Sequence, residues 1–154
     1  YFRFISTAGK YEQNVWLHQI DNPSFRVWSG LAFEQVCFAH ITQIKRALNI
    51  GGVLSNTYSW YTKGDGEKKG SQIDLVIDRR DQVINLFEIK FSINEFVITK
   101  EYDAKLRQKI QSFKEETATK KSIFLTMLTT FGVKPNEYST SIIQNELTMD
   151  ALFQ

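Results

Sequence analysis

Two apolar runs flank a charged turn in residues 70–91, and this pattern predicts a β-hairpin centred on Asp81. Alternation in the first run predicts two faces, with Gln72, Asp74 and Val76 on one and Ile73, Leu75 and Ile77 on the other. An odd-length loop around Asp81 then sets Asp74 opposite Glu88 of the second run, on a face that also carries Lys90. Directly opposed side chains of an antiparallel pair have Cβ atoms about 4.5–5.5 Å apart, so the hairpin predicts a close pair of carboxylates.

Such a pair of carboxylates needs a positive partner. Two unit charges about 4 Å apart repel by roughly 4 kcal/mol at an effective dielectric constant of 20, and the apolar residues around Asp74 and Glu88 keep water away. Mg²⁺ prefers one or two carboxylates and keeps several of its waters, so a hard divalent cation would relieve the repulsion. Lys90 directs an ammonium group to the same place. Two acids, a metal ion and a lysine suit phosphodiester hydrolysis, in which the metal activates water and neutralises developing charge.

Hydrophobic spacing in the rest of the chain predicts two long helices and three further strands. The predicted helices cover residues 30–48 and 99–116, and the strands outside the hairpin cover residues 53–61, 123–130 and 141–147. Three meandering strands followed by a helical crossover predict a mixed sheet. A helix on each face of that sheet makes a three-layer α/β/α sandwich, so the predicted fold class is α/β with an αβββαβ core.

Composition favours one globular domain without a membrane span. The chain has 154 residues, of which 42% are hydrophobic and 23% charged, and a domain of this length buries about 70% of its unfolded surface. The net charge is only +2, so a nucleic-acid partner would have to be met by a local basic patch. The single Cys37 excludes an internal disulfide and favours a reducing compartment. No apolar run approaches the roughly 20 residues of a membrane span, and we expect a cytoplasmic protein.

We expect the N-terminal part to connect this domain to an upstream region of a longer polypeptide. The chain begins at Tyr1 rather than at Met, which favours a segment of a larger polypeptide. Residues 1–24 are aromatic-rich and are interpreted as an extension or linker from an upstream region, with a short helix over residues 11–20. Turn residues end this stretch, and the domain itself is expected over residues 25–154.

The sequence Asp74, followed on the next strand by Glu88-Ile89-Lys90, resembles the PD-(D/E)XK nuclease superfamily, which has the restriction-endonuclease-like fold. In this chain Ile73 precedes the aspartate, at the position where the name of the superfamily gives a proline. The chain is also similar to the C-terminal nuclease-like domain of bacterial AAA-type ATPases, and this similarity rests on residues 28–34, 70–78 and 87–92. It extends over about residues 25–153, and it implies an ATPase domain upstream in the same polypeptide.

The resemblance implies roles for four residues. Asp74 and Glu88 would bind Mg²⁺ or Mn²⁺ together with the main-chain carbonyl of Ile89. Lys90 would position or deprotonate the attacking water and stabilise the phosphate during substitution. Glu34 would join the metal-binding acids, as an acid on the first helix does in many of these nucleases. The alternative for Glu34 is a structural salt bridge, because an unpaired buried carboxylate costs several kcal/mol.

Contacts with nucleic acid are expected from three places. Gln72 lies on the face of Asp74 and could orient a water or a ligand. The glycine-rich loop over residues 62–70 carries lysines that could touch a DNA backbone or simply be solvated, namely Lys63, Lys68 and Lys69. In similar nucleases the helix after the hairpin adds a basic residue or a glutamine to the site, which makes Lys105 and Gln108 the candidates on that helix.

These features predict a metal-dependent nuclease domain that hydrolyses phosphodiester bonds of nucleic acid, with DNA as the expected substrate. Two alternatives stay open. In the first, the fold only binds nucleic acid or docks the ATPase, and the acids are vestigial. In the second, Asp74, Glu88 and Lys90 form a structural ion-pair cluster. Metal binding separates the nuclease from both alternatives, and DNA binding separates the alternatives from each other.

Overall fold

A computed structural model describes residues 22–154 of the chain. The helices are α1 (Pro23–Ala39), α2 (Ile41–Ala47), α3 (Lys100–Thr117) and α4 (Glu137–Ile142), followed by a 3₁₀ helix over Met149–Phe153. The strands are β1 (Ser55–Thr62), β2 (Ser71–Arg79), β3 (Val83–Lys90), β4 (Ser122–Thr129) and β5 (Asn145–Thr148). The expected N-terminal extension, including the helix over residues 11–20, lies outside the described residues except for residues 22–24. Within the described part, no helix has the length and apolar character needed to cross a membrane.

The five strands form one mixed sheet in the order β1-β2-β3-β4-β5. Strands β1, β2 and β3 are antiparallel neighbours, whereas β3, β4 and β5 are parallel. Parallel neighbours need a crossover connection, and α3 supplies it between β3 and β4 while α4 connects β4 to β5. The predicted mixed sheet and the order of helix, three strands, helix and strand are therefore confirmed.

Helices cover both faces of the sheet, which confirms the three-layer α/β/α sandwich. On one face, α1, α2 and the 3₁₀ helix pack on the sheet through a core that includes Phe33, Cys37, Ile44, Phe87 and Leu152. On the other face, α3 and α4 pack through two clusters that include Val76, Leu86, Leu106, Phe113 and Ile142. Side chains alternate between the faces of a strand, so neighbouring residues such as Leu86 and Phe87 enter different cores.

Helix α1 begins earlier than the helix predicted over residues 30–48. The side chain of Asn22 accepts a hydrogen bond from the backbone N–H of Ser24 at 2.9 Å, and Pro23 opens the helix, where its missing N–H costs no hydrogen bond. The helix is interrupted at His40, where α1 ends and α2 begins. The turn expected before the domain is thus the start of its first helix.

The strand predicted over residues 141–147 is wrong in its first half, where the chain forms the end of α4. Asn136 caps α4, because its side chain accepts from the backbone N–H groups of Tyr138 at 3.0 Å and Ser139 at 2.8 Å. The Ser139 hydroxyl in turn accepts from the backbone N–H of Asn136 at 2.9 Å. This capping box starts a helix that runs into the predicted strand, and only Asn145–Thr148 is extended.

A β-bulge in β2 alters the predicted alternation. The pairing of β1 with β2 leaves Asp74 and Leu75 together opposite the single residue Ser59, whose hydroxyl donates to the main-chain carbonyl of Asp74 at 2.8 Å. Ile73 packs with Val76 in the α3-side core, whereas Leu75 packs on the α1 side. The expectation that Ile73 shares a face with Leu75 is wrong, because the extra residue of the bulge shifts the alternation by one.

Candidate functional site

Asp74 and Glu88 are neighbours at the point where the β2–β3 ladder ends. The hairpin register pairs Leu75 with Phe87, which makes Asp74 and Glu88 the next residues across the two strands. Asp74 belongs to the bulge, and the backbone N–H of Ile89 interacts with its carboxylate. The N–H and C=O of a strand residue point to the same side, so the carbonyl of Ile89 also lies on the side of β2. The bulge thus makes main-chain groups of β3 available to the Asp74 side chain.

Glu88 is a buried carboxylate with three partners. Its side chain is only 4% exposed. Lys109 Nζ donates to Glu88 Oε2 at 2.8 Å, the Tyr102 hydroxyl donates to Oε1 at 2.5 Å, and Lys90 Nζ lies 3.4 Å from Oε1. Burial by itself would raise the pKa of this carboxyl, but the charge and hydrogen bond of Lys109, aided by Tyr102 and Lys90, hold the pKa below its usual value. Residues of α3 and β3 therefore keep Glu88 in its ionised form.

Asp74 has the opposite environment. Burial raises the pKa of its carboxyl, and the negative charge of Glu88 raises it further, against the opposing charges of Lys109 and Lys90. Gln72 Nε2 lies 3.5 Å from Asp74 Oδ1, which is too long for a strong hydrogen bond. Neighbouring acids whose pKa values move in opposite directions are frequent in sites of acid–base or metal chemistry.

Glu34 approaches the same cluster from α1. Its neighbour Phe33 packs edge-on against Phe91, with ring centroids 6.3 Å apart, and Phe91 directly follows Lys90 in the chain. Burial raises the pKa of Glu34, and the charge of Asp74 raises it further. In the described part of the chain Glu34 forms no salt bridge, so the structural pairing considered for it is not found there. The packing of α1 thus adds a third acid to the electrostatic environment of the pair.

Two acids rather than three could hold Mg²⁺ or Mn²⁺ here. Among residues 22–154, no group of three or more His, Cys, Asp and Glu side chains has an arrangement that could hold a metal ion. Two carboxylates and a carbonyl match the preference of Mg²⁺ for few protein ligands and several waters. The fit therefore rests on Asp74 and Glu88 with the carbonyl of Ile89, and Glu34 contributes charge.

The residues expected to contact nucleic acid are spread over the surface beside α3. A cleft of about 410 Å³ between the loop after β1 and α3 is lined by three of them, Lys68, Lys69 and Gln108. Acids also line this cleft, and Lys68 Nζ pairs with Glu115 Oε2 at 3.3 Å, so the cleft is not uniformly basic. Lys63 and Lys105 are exposed. Acidic residues therefore lie among the basic residues of this cleft.

Two residues that contact Glu88 were not among the site residues expected from the sequence. The expectation for α3 was Lys105 or Gln108, but the helix reaches Glu88 through Tyr102 and Lys109. In the sequence, Tyr102 belongs to the apolar stripe of the helix and Lys109 to its charged face. They are seven residues apart and therefore share a face of the helix. That spacing is the signal in the sequence that could have identified the pair.

A family model covers most of the chain. Searches among curated proteins and among solved structures gave no match. The model of a family described as archaeal and bacterial proteins of unknown function, DUF234, matches residues 1–115, which is 115 of 154 residues. Among the described residues, the matched part covers α1 through the last turn of α3 and includes Asp74, Glu88, Lys90 and Lys109. On this match, the chain belongs to the DUF234 family.

Proposed function

We propose that this chain is a metal-dependent nuclease domain of the PD-(D/E)XK type, with a restriction-endonuclease-like fold, that hydrolyses phosphodiester bonds of nucleic acid. The observation that carries the proposal is the grouping of Asp74, Glu88 and Lys90 at the end of one hairpin, where Lys90 Nζ lies 3.4 Å from the buried Glu88. DNA is the proposed substrate, and RNA is the alternative that the experiment includes.

Asp74 and Glu88, with the main-chain carbonyl of Ile89, would hold one Mg²⁺ or Mn²⁺ ion. Such an ion supplies Lewis-acid activation of water and neutralises charge on the phosphate. The raised pKa of Asp74 supports this proposal, because burial and the negative charge of Glu88 both disfavour its ionised form, which a bound cation would stabilise. Glu34 adds a further acid from α1, and its own pKa is raised by burial and by the charge of Asp74.

Lys90 is the proposed catalytic cation. Its side chain is 38% exposed, so its ammonium can meet a phosphate that approaches from solvent. The Glu88 carboxylate and the ring of Tyr102, whose centroid lies 5.7 Å from Lys90 Nζ, hold the ammonium at the site. From this position the ammonium donates to a phosphate oxygen and stabilises the negative charge that develops in the transition state. Gln72 is close enough to Asp74 to orient a water beside it.

The proposal also includes nucleic-acid contacts of the surface, an upstream domain and a cellular compartment. Exposed polar residues beside α3 would contact phosphates in a salt-dependent way, and they are Lys63, Lys68, Lys69, Lys105 and Gln108. The resemblance over residues 25–153 supports an AAA-type ATPase domain upstream in the same polypeptide. The free thiol of Cys37 supports a reducing compartment, which we take to be the cytoplasm.

Calorimetric titration of Mn²⁺ into the wild type and Asp74→Ala tests the metal site. We expect one ion per wild-type chain and loss of binding in the variant. Equal binding by the two proteins would remove Asp74 as a ligand. Cleavage assays with DNA and with RNA then test the reaction, and Lys90→Ala is the informative variant because it should bind the ion yet cleave neither substrate.

A non-catalytic module is the second candidate, and one observation favours it. Glu88 already has Lys109, Tyr102 and Lys90 as partners, as a purely structural ion-pair cluster would. A domain that binds nucleic acid or docks the ATPase without cleavage is the other non-catalytic alternative, and DNA binding separates it from a purely structural cluster. The Mn²⁺ titration separates the candidates, because a structural cluster binds no ion. A structural cluster also loses stability when Asp74 or Glu88 is replaced.

A further inference from the structure

Lys109 binds one oxygen of Glu88, the carboxylate that a metal ion would need. Its Nζ donates to Glu88 Oε2 at 2.8 Å, whereas Oε1 is shared by Tyr102 at 2.5 Å and Lys90 at 3.4 Å. A divalent ion on this carboxylate would lie within a few ångströms of the Lys109 ammonium, and like charges at that separation in a water-poor site repel strongly. The pair of Lys109 with Glu88 and a bound ion are therefore competitors for the same carboxylate.

The charge balance of the cluster distinguishes the two states. With all groups ionised, the three acids Asp74, Glu88 and Glu34 exceed the two lysines by one negative charge. A divalent ion added to all five groups would leave one excess positive charge. If Lys109 withdraws as the ion enters, the three acids, Lys90 and the ion balance to zero. Exchange of one cation for the other is thus the arrangement that avoids a buried net charge.

We propose, on the basis of the metal site proposed above, that Lys109 is a resident counter-cation that takes the place of the divalent ion on Glu88 and leaves when the ion binds. The Lys109 side chain is 29% exposed, and its strongly hydrated ammonium sits on a flexible four-carbon stem. It can therefore swing from Glu88 into water without rearrangement of α3. Metal affinity is then set by the exchange of one cation for another.

Lys109→Met tests the exchange because it removes the charge and keeps a long, flexible side chain. We expect this variant to bind Mn²⁺ roughly tenfold more tightly than the wild type in calorimetry, since no cation has to be displaced. Lys114→Met is the matched control, because Lys114 is an exposed lysine of the same helix and should change the dissociation constant less than about twofold.

A merely structural role for Lys109 predicts the opposite result. If Lys109 only holds Glu88 in position, Lys109→Met weakens Mn²⁺ binding or leaves it unchanged, and either result overturns the inference while the metal site stands. Absence of Mn²⁺ binding by both the wild type and Lys109→Met overturns the inference and the proposed metal site together. Tighter binding by Lys109→Met than by the wild type, if it still requires Asp74, supports both.

Movement of Lys109 can also be observed in the wild-type chain. Lysine amines labelled with ¹³C-methyl groups give separate NMR signals, and the Lys109 signal is the one missing from Lys109→Met. We expect Mg²⁺ to shift that signal to the position of exposed lysines, with saturation at one ion per chain. A signal that stays in place while the ion binds would show that Lys109 remains on Glu88, and it would overturn the exchange.

Discussion

At the scale of single residues, the three acids of the cluster differ because their neighbours differ. Glu88 is the most buried of them, yet its pKa is lowered, since Lys109 and Tyr102 bind its oxygens directly. Among the described residues, neither Asp74 nor Glu34 forms an ion pair, and burial raises the pKa of each. One acid is thus stabilised in its charged form by the protein, while two are ionised at a cost that a cation would reduce.

Removal of the Asp74 charge should relieve this cost. We expect Asp74→Asn to leave the metal-free protein no less stable than the wild type, and to abolish the stabilisation that Mn²⁺ gives. A ligand at a hundredfold excess over its dissociation constant stabilises the native state by about 2.7 kcal/mol, or roughly 5–10 °C in Tm for a domain of this size. Thermal melts with and without Mn²⁺ measure both effects.

The control for these melts is Glu67→Gln, which removes an exposed acid from the loop between β1 and β2. It should keep the full Mn²⁺ response of the wild type. A metal-free Asp74→Asn protein that melts far below the wild type would contradict the prediction. That result would identify the cluster as a structural ion pair.

The thiol of Cys37 should be unreactive in the folded protein. Burial raises its pKa to about 12 from an ordinary value of 9.0, and the charge of Glu34 contributes to the rise. Because the folded pKa is raised, the stability linked to this group is complete below pH 9.0 and is lost as the pH rises through about 12. At pH 8 a thiol reagent should modify Cys37 only when the protein opens.

This prediction is checked by comparing the rate of thiol modification in native buffer with the rate in denaturant. Cys37 is the only cysteine of the chain, so the signal is unambiguous. Rapid modification of the native protein at pH 8 would mean that α1 leaves the sheet readily. In that case the position of Glu34 beside Asp74 would be transient.

At the scale of elements, alternating hydrophobicity was sufficient to predict the turn and register of the β2–β3 hairpin and its buried faces from Leu75 onwards. The bulge at Asp74 could not be predicted, because it depends on how β1 pairs with β2. The partners of Glu88 on α3 were missed for a related reason. The sequence does not distinguish Lys105 from Lys109, since both lie among the charged residues of the helix. Which of the two reaches β3 depends on how the helix packs.

The start of α4 depends on the side chain of Asn136. Its Oδ1 accepts from the N–H groups of Tyr138 and Ser139, and its Nδ2 donates to the carbonyl of Ile98 at 2.9 Å. We expect Asn136→Ala to lower the free energy of unfolding by about 1–2 kcal/mol, since a helix cap is lost. Urea unfolding should show a lower midpoint with an unchanged slope. Asn94→Ala in an exposed loop is the control, and an equal loss in both variants would refute the capping role.

At the scale of the whole molecule, two polar clusters lie towards opposite ends of β3 and on opposite faces of the sheet. Glu88, Lys90 and Lys109 meet at the carboxyl end of the strand on the α3 side. Towards its start, the fully buried Asn85 links neighbouring strands on the α1 side. Its side chain accepts from Arg79 Nη1 of β2 at 3.2 Å and donates to Thr126 Oγ1 of β4 at 3.1 Å and Asn145 Oδ1 of β5 at 3.2 Å. The network connects four of the five strands without touching the site.

The last prediction separates stability from metal binding. Asn85→Leu keeps a similar volume but leaves buried polar partners unsatisfied, so we expect a loss of about 1–3 kcal/mol in the free energy of unfolding. Asn85 is three residues from Glu88, about 10 Å along the strand, and the Mn²⁺ dissociation constant should stay within about twofold.

Combined variants test the separation between the network and the site. Asn85→Leu with Asp74→Asn should show additive changes in the free energy of unfolding within about 0.5 kcal/mol, as independent sites do. Asn85→Leu with Thr126→Val should instead recover part of the loss, because Thr126 no longer presents an unpaired hydroxyl. Non-additivity with Asp74→Asn would mean that the two ends of β3 respond as one unit, and that the site depends on the rigidity of the whole sheet.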